Sequence, residues 1–354
     1  MSDKLYQVKP LLDTSGRRVQ AHGGSVFYED GVYYFYGENK EKTTGKDKIW
    51  TWGVRAYSSC DLVNWKDEGL IIPPELEDKK SLLHPYHHLD RPHIVRSKKT
   101  GKYVCWLKFC GKNEFCFAVL VADHFLGLYK LIKSYFRPYD ADVGDFDIHD
   151  FGERGVYLYF ADGKKGIIGC RLTDDCTDVT EEHRLYYSDR TVPYCREAVA
   201  VFEAKENIYM LTSGMTSYVP NPSEAAKLSA PLGELTELGD PHIGDKSGAS
   251  FLSQISCVFL HRGTNTHIAV ADRWIASFQS KREQHLRTLN AIAACCAPGK
   301  YHAPLKDIMA VSKLPLNSNK IDTSVADYVI LPVEWEGEKP VLRWKDEWRL
   351  EDFR

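Results

Sequence analysis

The stretch GSVFYEDGVYYFYGE, residues 24–38, decides the fold of this chain. Two runs of alternating aromatic residues flank an Asp-Gly pair, which is a strong short-range signal for a β-hairpin. The same plan of apolar strand, polar turn and apolar strand recurs four times, at residues 92–109, 149–162, 198–214 and 256–274. This repetition predicts one supersecondary unit that is used five times.

A second, weaker pair of strands follows each hairpin. These pairs occupy residues 52–71, 117–132, 166–179 and 225–238 and, in the fifth unit, LNAIAACC (289–296) followed by YVILPVEW (328–335). The hairpin turns, near Gly31, Gly101, Gly155, Lys205 and Gly263, are spaced by roughly 50 to 70 residues, a period that suits propeller blades with loop insertions.

The repeat predicts an all-β fold, namely a single domain over residues 1–354 that forms a five-bladed β-propeller with four antiparallel strands per blade. A set of unrelated β-sandwich hairpins is the alternative. We favour the propeller because strong and weak hairpins alternate through the whole chain.

The charge balance excludes several classes of partner. Lys and Arg number 46 against 49 Asp and Glu, so the formal net charge of −3 gives no strong attraction to nucleic acids or anionic membranes. No apolar run approaches the roughly 18 residues of a membrane span, and the first residues lack the apolar core of a signal peptide. We therefore expect a cytoplasmic protein with no nucleic-acid or membrane partner.

The ten cysteines are expected to be reduced. No CxxC pair and no Cys/His cluster has the spacing of a zinc site. Cys105, Cys170, Cys257 and Cys295 lie within apolar segments predicted as strands. Buried free cysteines behave as small apolar side chains, so these residues predict core thiols rather than a disulfide framework.

Propeller geometry brings together the residues that precede the first strand of each blade. The innermost strands all begin at one face of a central funnel. The corresponding segments are AHGGS (21–25), HLDRPHI (88–94), DFDIHDF (145–151), CREAVAVF (195–202) and LSQISCVF (252–259). They place His22, Asp90, Arg91, Asp147, Glu197 and Gln254 around one pocket.

Clustered carboxylates in an aromatic-lined pocket indicate hydrolysis of glycosidic bonds. One carboxylic acid protonates the leaving oxygen while another group manages water or charge. Enclosure and the nearby charge of Asp147 are expected to raise the pKa of Glu197 and keep it protonated. Arg91 and Arg196 are expected to hold carboxylates or sugar hydroxyls.

Several motifs resemble glycoside hydrolase family 43, and more narrowly its exo-β-1,3-galactanase branch. They are QAHGGSVFYEDGVYYFYGENK, DLVNW, DRPHIV, KTGKYVCW, REAVAVF, LTSGMTSYVPN, SQISCVF, DRW and VLRWKDEWRLEDF, which cover nearly the whole chain in order. The resemblance implies a five-bladed propeller that hydrolyses glycosides with inversion of configuration.

The resemblance also implies roles for individual residues. Glu197 matches the general acid of the family, and Asp147 falls where an aspartate tunes the pKa of that acid. Most of the family has an aspartate as base in the first blade, where this chain has His22. The galactanase branch also lacks that aspartate, and Gln254 matches the glutamine of its SQ motif. An amide is a poor base in water, so Gln254 is a candidate for base or for water positioning.

Further positions are candidates for substrate binding. Glu38 and Asp90 match substrate-binding carboxylates of the branch. The motif at Asp90 commonly reads Glu-Arg-Pro in the branch, so the carboxylate of Asp90 is one methylene shorter than usual. Thr216 lies in a loop that follows the second strand of blade four, where loops line pockets, and a plain turn is the alternative. Trp274 is a candidate for stacking on a sugar, with a core position as the alternative.

These features predict an inverting exo-glycosidase that acts on oligosaccharides, with β-1,3-galactosidase as the first expectation. An α-L-arabinofuranosidase or β-xylosidase fits the wider family. Further alternatives are a non-catalytic sugar-binding propeller and a propeller phosphorylase. The phosphorylase needs a cationic cluster for phosphate, for which His22, Arg91, Arg196 and Lys108 are the candidates. We expect no required cofactor and no catalytic metal, and leave open a structural calcium ion in the central channel.

Overall fold

The computed structural model describes residues 4–7, 9–111, 114–275, 277–279, 281–314 and 320–353. Five β-sheets form the predicted five-bladed propeller, and in each of them four antiparallel strands follow chain order from the centre outward. Blade five carries a fifth strand at its outer edge, which is parallel to its neighbour. The innermost strands contact one another in ring order around a central channel. The predicted fold class is therefore confirmed.

The first three blades follow the predicted two-hairpin plan. After the short strand β1 (Leu5–Tyr6), blade one contains β2 (His22–Glu29), β3 (Val32–Glu38), β4 (Val54–Ser59) and β5 (Lys66–Ile72). Blade two contains β6 (His88–Arg96), β7 (Tyr103–Gly111), β8 (Glu114–Ala122) and β9 (Lys130–Phe136). Blade three contains β10 (Phe146–Asp150), β11 (Val156–Asp162), β12 (Gly166–Leu172) and β13 (Val179–Tyr186).

Blade four follows the same plan, and blade five departs from it. Blade four contains β14 (Arg196–Ala204), β15 (Asn207–Gly214), β16 (Glu224–Leu228) and β17 (Leu235–Gly239). Blade five contains β18 (His242–Ile243), β19 (Gln254–His261), β20 (Thr266–Arg273), β21 (Asp327–Glu336) and β22 (Lys339–Arg343), and β23 (Glu347–Trp348) follows it. The helices α1 (Arg282–Cys296) and α2 (Leu305–Val311) lie between β20 and β21.

The prediction that residues 289–296 form a strand is wrong. They end α1, whose sequence REQHLRTLNAIAACC is rich in Ala, Leu, Arg, Gln and Glu, the residues with high helix propensity. Cys295 is consequently exposed on a helix and does not lie in a strand. All ten cysteines are free, as expected for reduced thiols.

A hydrophobic cluster fills each interface between neighbouring blades. The interface between blades five and one is also held by the ends of the described chain. There β1 pairs with β23, and the side-chain amide of Gln7 exchanges two hydrogen bonds with the backbone of Ile330, at 2.6 and 2.8 Å. The ring is therefore closed by polar as well as apolar contacts.

The innermost strands are bulged where they enter the pocket. In β2, β6 and β14 the register shifts just after His22, Asp90 and Glu197. The residue that follows each of these three has a positive φ: 58° at Gly23, 53° at Arg91 and 50° at Ala198. A bulge bends a strand and changes the direction of its side chains, so the same local irregularity orients the side chains at these three positions.

Backbone amides of the innermost strands donate to side chains of the preceding blade. Gly23 N–H donates to Asp272 of blade five at 2.9 Å, and Ile94 N–H donates to the Tyr36 hydroxyl of blade one at 2.7 Å. Val201 N–H likewise donates to Asp147 of blade three at 2.6 Å. Each contact satisfies a buried amide of a strand that has a neighbouring strand on one side only.

Candidate active site

A cavity of about 200 Å³ lies at the face of the propeller where the innermost strands begin. It is lined by Glu38, Trp50, His88, Asp90, Arg91, Lys108, Cys110, Asp145, Glu197, Ser217, Tyr218, Gln254 and Trp274. The structure therefore brings together six of the nine predicted site residues. Four carboxylates, two cations and several aromatic rings face the same small volume.

Glu197 lies at the mouth of β14 with its carboxyl group in this pocket. Burial raises its pKa to about 8, and the negative charge of Asp145 adds to the effect. The side-chain amide of Gln254 donates to Oε1 of Glu197 at 3.3 Å. A carboxyl group that keeps its proton at neutral pH can act as a general acid.

Asp145 is held between two cations. Its Oδ2 lies 3.0 Å from Arg91 Nη2, and its Oδ1 lies 2.7 Å from Lys108 Nζ. Burial alone would raise the pKa of Asp145, but the charges of Arg91 and Lys108 outweigh burial and lower it to about 2. Asp145 is thus a fixed negative charge beside a protonated glutamic acid, which separates the protonation states of the two carboxyl groups.

Asp147 does not occupy the position predicted for it. Its carboxylate accepts hydrogen bonds from Val201 N–H at 2.6 Å and from its neighbour Ile148 N–H at 2.8 Å, and it lies 3.1 Å from His93 Nδ1. It lines the opposite end of the central channel, and Asp145 takes the place beside Glu197. The two aspartates are two residues apart, so strand alternation places both side chains on the same face. Because β10 begins at Phe146, only Asp145 precedes the strand and lines the pocket.

Gln254 is held by four hydrogen bonds. Its Oε1 accepts from Arg91 Nη2 at 3.0 Å and from Trp274 Nε1 at 3.1 Å, while its Nε2 donates to the Ser213 hydroxyl at 3.0 Å as well as to Glu197. Guanidinium and indole N–H groups only donate, so these partners require the amide oxygen on their side. Both lone pairs of Oε1 are therefore occupied.

A second group of charged residues surrounds Glu38 and Asp90. Glu38 accepts from Arg91 N–H at 3.0 Å and lies 2.7 Å from Lys40 Nζ, yet burial raises its pKa to about 7. Asp90 accepts a hydrogen bond from Trp50 Nε1 and lies 3.5 Å from Lys108 Nζ. Burial opposes ionisation of Asp90, but the charges of Lys108 and Lys40 lower its pKa.

An aromatic row forms another wall of the pocket. The imidazole of His88 stacks on Trp50 at 3.8 Å and 12°, and Tyr218 lies between Trp50 and Trp274 at centroid distances of 6.0 and 5.1 Å. Flat aromatic faces beside carboxylates suit a sugar ring, which has apolar C–H faces and a polar hydroxyl rim. The pocket therefore combines sugar-binding surfaces with an acid of raised pKa.

Solved structures share this architecture. A β-1,3-galactosidase of glycoside hydrolase family 43 matches with a TM-score of 0.78 at 24% identity, over 100% of this chain and 65% of that chain. Another, solved with galactodeoxynojirimycin, matches with a TM-score of 0.77 at 21% identity, over 98% and 100%. The exo-β-1,3-galactanase of Phanerochaete chrysosporium, solved with β-1,3-galactotriose, matches at 0.75 and 18%, over 100% and 70%.

The fold is that of glycoside hydrolase family 43. This chain spans less than two thirds of the first of these structures and the full length of the second. No protein-family model and no curated protein matches the sequence. Because all three sequence identities are below 25%, the similarity establishes the fold and not the activity. The activity is therefore argued from the pocket.

Two predicted substrate contacts lie outside the pocket of this family 43 fold. His22 is completely buried, with Nδ1 2.9 Å from Asp272 and its ring stacked on Tyr328 at 4.7 Å. Thr216 is buried beneath its loop, where its hydroxyl donates to Val219 O at 2.6 Å. Neither side chain is placed for the substrate contact that was expected of it. The ring of His22 lies 5.6 Å from that of Trp274, which does line the pocket.

Arg196 also differs from its expected role. Its guanidinium is buried and donates to the hydroxyl and the carbonyl of Thr212, at 2.9 and 2.7 Å, rather than to a pocket carboxylate. Arg91 does hold a pocket carboxylate, as predicted. The arginine that precedes the acid therefore anchors β14 to β15, and Arg91 is the one that faces the pocket.

Sequence reasoning assigned no role to Asp145, Trp50 and Tyr218, and it considered Lys108 only as a phosphate-binding cation of the phosphorylase alternative. Lys108 had a usable signal, because it is a charged residue in the apolar run YVCWLKF and pairs across the hairpin with Asp90.

In the described part of the chain, no group of three or more His, Cys, Asp or Glu side chains is placed to hold a metal ion. The calcium ion considered for the channel stays an untested prediction, and no described helix is long and apolar enough to cross a membrane.

Proposed function

We propose that this protein is an inverting exo-glycosidase that releases galactose from the non-reducing end of β-1,3-linked galacto-oligosaccharides. The observation that carries this proposal is the pair formed by Glu197, with a pKa near 8, and the cation-held charge of Asp145 in a pocket of about 200 Å³. A cavity of this size suits one sugar residue at a chain end. The β-1,3-galactosidase and exo-β-1,3-galactanase structures on the same fold support galactose as that sugar.

In this mechanism Glu197 donates its proton to the glycosidic oxygen as the bond to the anomeric carbon breaks. Water attacks the anomeric carbon from the opposite face and gives a sugar of inverted configuration. Asp145 keeps Glu197 protonated by its negative charge and is itself kept ionised by Arg91 and Lys108. The oxygen of the attacking water forms the new bond, and its proton passes to a base.

Glu38 is the base that the pocket geometry favours. The sequence leaves open whether Gln254, Glu38 or His22 activates water. His22 is buried outside the pocket, and Oε1 of Gln254 already accepts two hydrogen bonds. Glu38 lines the pocket, and a pKa of about 7 allows it to take up a proton near neutral pH. Gln254 is then a positioning residue, whose long contact of 3.3 Å holds Glu197 in place.

The cations of the pocket disfavour the phosphorylase alternative. Arg91 and Lys108 each pair with Asp145, and Lys40 pairs with Glu38 and lies 3.8 Å from Asp90. Phosphate would have to enter a site whose positive charges are already matched by carboxylates. The proposal therefore uses water as the nucleophile.

A substrate panel tests the proposal. The panel contains β-1,3-galactobiose, its 1,4- and 1,6-linked isomers, and aryl β-galactoside, α-arabinofuranoside and β-xyloside, each incubated with wild type and Glu197→Gln. We expect galactose from the 1,3-linked disaccharide alone, with α-galactose as the first anomer seen by NMR and loss of turnover in the variant. Activity confined to the arabinoside or xyloside would overturn the galactoside assignment, and full activity of the variant would overturn the role of Glu197.

A further inference from the structure

A second cavity adjoins the candidate active site and shares a wall with it. Its volume is about 450 Å³, and Trp50 and His88 line both cavities. The other cavity that shares residues with the pocket, beside Pro220 and Asp272, measures about 10 Å³ and is too small for a sugar. We call the larger cavity the lysine groove, after Lys46, Lys48 and Lys320; the remaining lining residues are Thr43, Gly45, Asp47, Ile49 and Tyr86.

The backbone of the lysine groove is tied to the rest of the propeller. Thr43 O accepts hydrogen bonds from Thr323 N–H and Ser324 N–H, at 3.0 and 3.2 Å, which joins the loop of blade one to the segment before β21. On the pocket side, Trp50 N–H donates to Pro85 O at 2.8 Å. Gly45 packs so closely on Lys320 that an added Cβ would lie 2.7 Å from its backbone. The groove is thus a feature of three packed segments rather than of one loop.

The lining of the groove is cationic and aromatic. Three lysine ammonium groups face one carboxylate, that of Asp47, and among the described residues none of the three lysines forms an ion pair. The ring of Tyr86 is 51% exposed. The candidate active site differs, because its cations are matched by carboxylates at 2.7 to 3.8 Å. The groove therefore has unmatched positive charge where the pocket has none.

We propose that the lysine groove binds the leaving-group side of the substrate and that this part of the substrate carries an anionic group, as in a uronate or a sulfated sugar. The inference rests on the proposed exo-glycosidase function. When a single sugar fills the pocket, the lysine groove offers the remainder of the chain a larger cavity beside the wall that Trp50 and His88 form. The lysines then attract the anion, and Tyr86 offers its ring to a sugar face.

Matched substrates test this inference. The probes are β-1,3-galactobiose with a β-1,6-linked glucuronic acid on its reducing-end galactose, the same compound with glucose in its place, and galactobiose with a 6-sulfate on that galactose. We expect wild type to show a kcat/KM at least threefold higher for the two acidic probes than for the neutral one at low salt. The preference should shrink as salt is added, because exposed charges are screened.

Paired variants locate the effect. Lys46→Ala/Lys48→Ala should remove most of the preference by lowering kcat/KM for the acidic probes more than for the neutral one. An exposed lysine-anion pair corresponds to a factor of about 1.5 to 5. Lys98→Ala/Lys99→Ala is the matched control, because those lysines line a cavity beside Gly152 in blade three. The control should keep the full preference.

The outcomes separate this inference from the proposed function. Equal kcat/KM for acidic and neutral probes, or a preference that survives the groove variant, would overturn the inference while cleavage of galactobiose stands. If no galactoside is cleaved, the proposed function fails, and calorimetric binding of the uronate probe to wild type and to the groove variant still tests the groove. Equal binding to both proteins would then overturn it.

Discussion

The assignment of Asp145 rather than Asp147 as the partner of Glu197 can be tested with one pair of isosteric variants, Asp145→Asn and Asp147→Asn. The acid must be protonated to act, so the basic limb of the pH profile of kcat/KM reports the pKa of Glu197 in the free enzyme. We expect that limb near pH 8 in wild type, where burial and the charge of Asp145 place the pKa.

The size of the effect follows from the charges around the acid. A like charge in a shared site changes a pKa by about 1 to 3 units, so Asp145→Asn should lower the pKa of Glu197 from about 8 to about 6. The basic limb should then move from about pH 8 to about pH 7, where the proposed base Glu38 titrates. With that change the protonated fraction of Glu197 at pH 7 falls from about nine tenths to about one tenth, a roughly tenfold loss of kcat/KM. Arg91 and Lys108, left without their partner, act in the same direction.

Asp147→Asn provides the contrast. The amide lacks one acceptor oxygen, so the contacts with Val201 N–H and His93 are weakened. We expect a loss of about 1 to 3 kcal/mol in the free energy of unfolding, measured in urea, with no movement of the basic limb. A limb that moves in Asp147→Asn and stays in Asp145→Asn would refute the reasoning.

Three further predictions concern the surroundings of the acid. The free energy of unfolding of Glu197→Gln, relative to that of wild type, should rise between about pH 4.5 and about pH 8 and then stay constant. The reason is that the raised pKa of Glu197 makes its ionised form unfavourable in the folded state. Denaturant unfolding at several pH values measures this difference, and a difference that does not change with pH would contradict the prediction. Trp50→Phe keeps a ring but loses the hydrogen bond to Asp90, so KM for galactobiose should rise several-fold; an unchanged KM would argue against Asp90 as a substrate contact. His22→Ala should lower the free energy of unfolding by about 2 to 4 kcal/mol with kcat/KM retained within about twofold, and a selective rise in KM would restore His22 as a substrate contact.

The fold could be predicted because each blade carries its own local signal. Alternating apolar residues on both sides of polar turns are short-range features, and their fivefold recurrence determined the number of blades. The helix α1 of blade five was not predicted, because Ala, Ile and Cys in LNAIAACC fit a buried strand as well as a buried helix. Only its length, together with the preceding REQHLRT, separates the two.

The pocket was predicted less completely than the fold. Residues that precede the innermost strands were found, since their position follows from propeller geometry. The pairing of Lys108 with Asp145 was not predicted, because Lys108 reaches the pocket from β7, on the return strand of the hairpin opposite Asp90. Asp145 and Asp147 could not be separated by alternation, which has a period of two and gives both residues the same side of the strand. Strand boundaries decide such cases, and periodicity does not define them.

The hydrogen bonds between neighbouring blades have a consequence for how the protein acquires activity as it folds. Amides of β2, β6 and β14 donate to Asp272, Tyr36 and Asp147, each from the neighbouring blade. An isolated blade can form its ladder but cannot hold its mouth in the functional conformation. During refolding, recovery of turnover should therefore lag behind recovery of the far-ultraviolet circular dichroism of the sheets, and enzymatic activity would report the docking of the last blade.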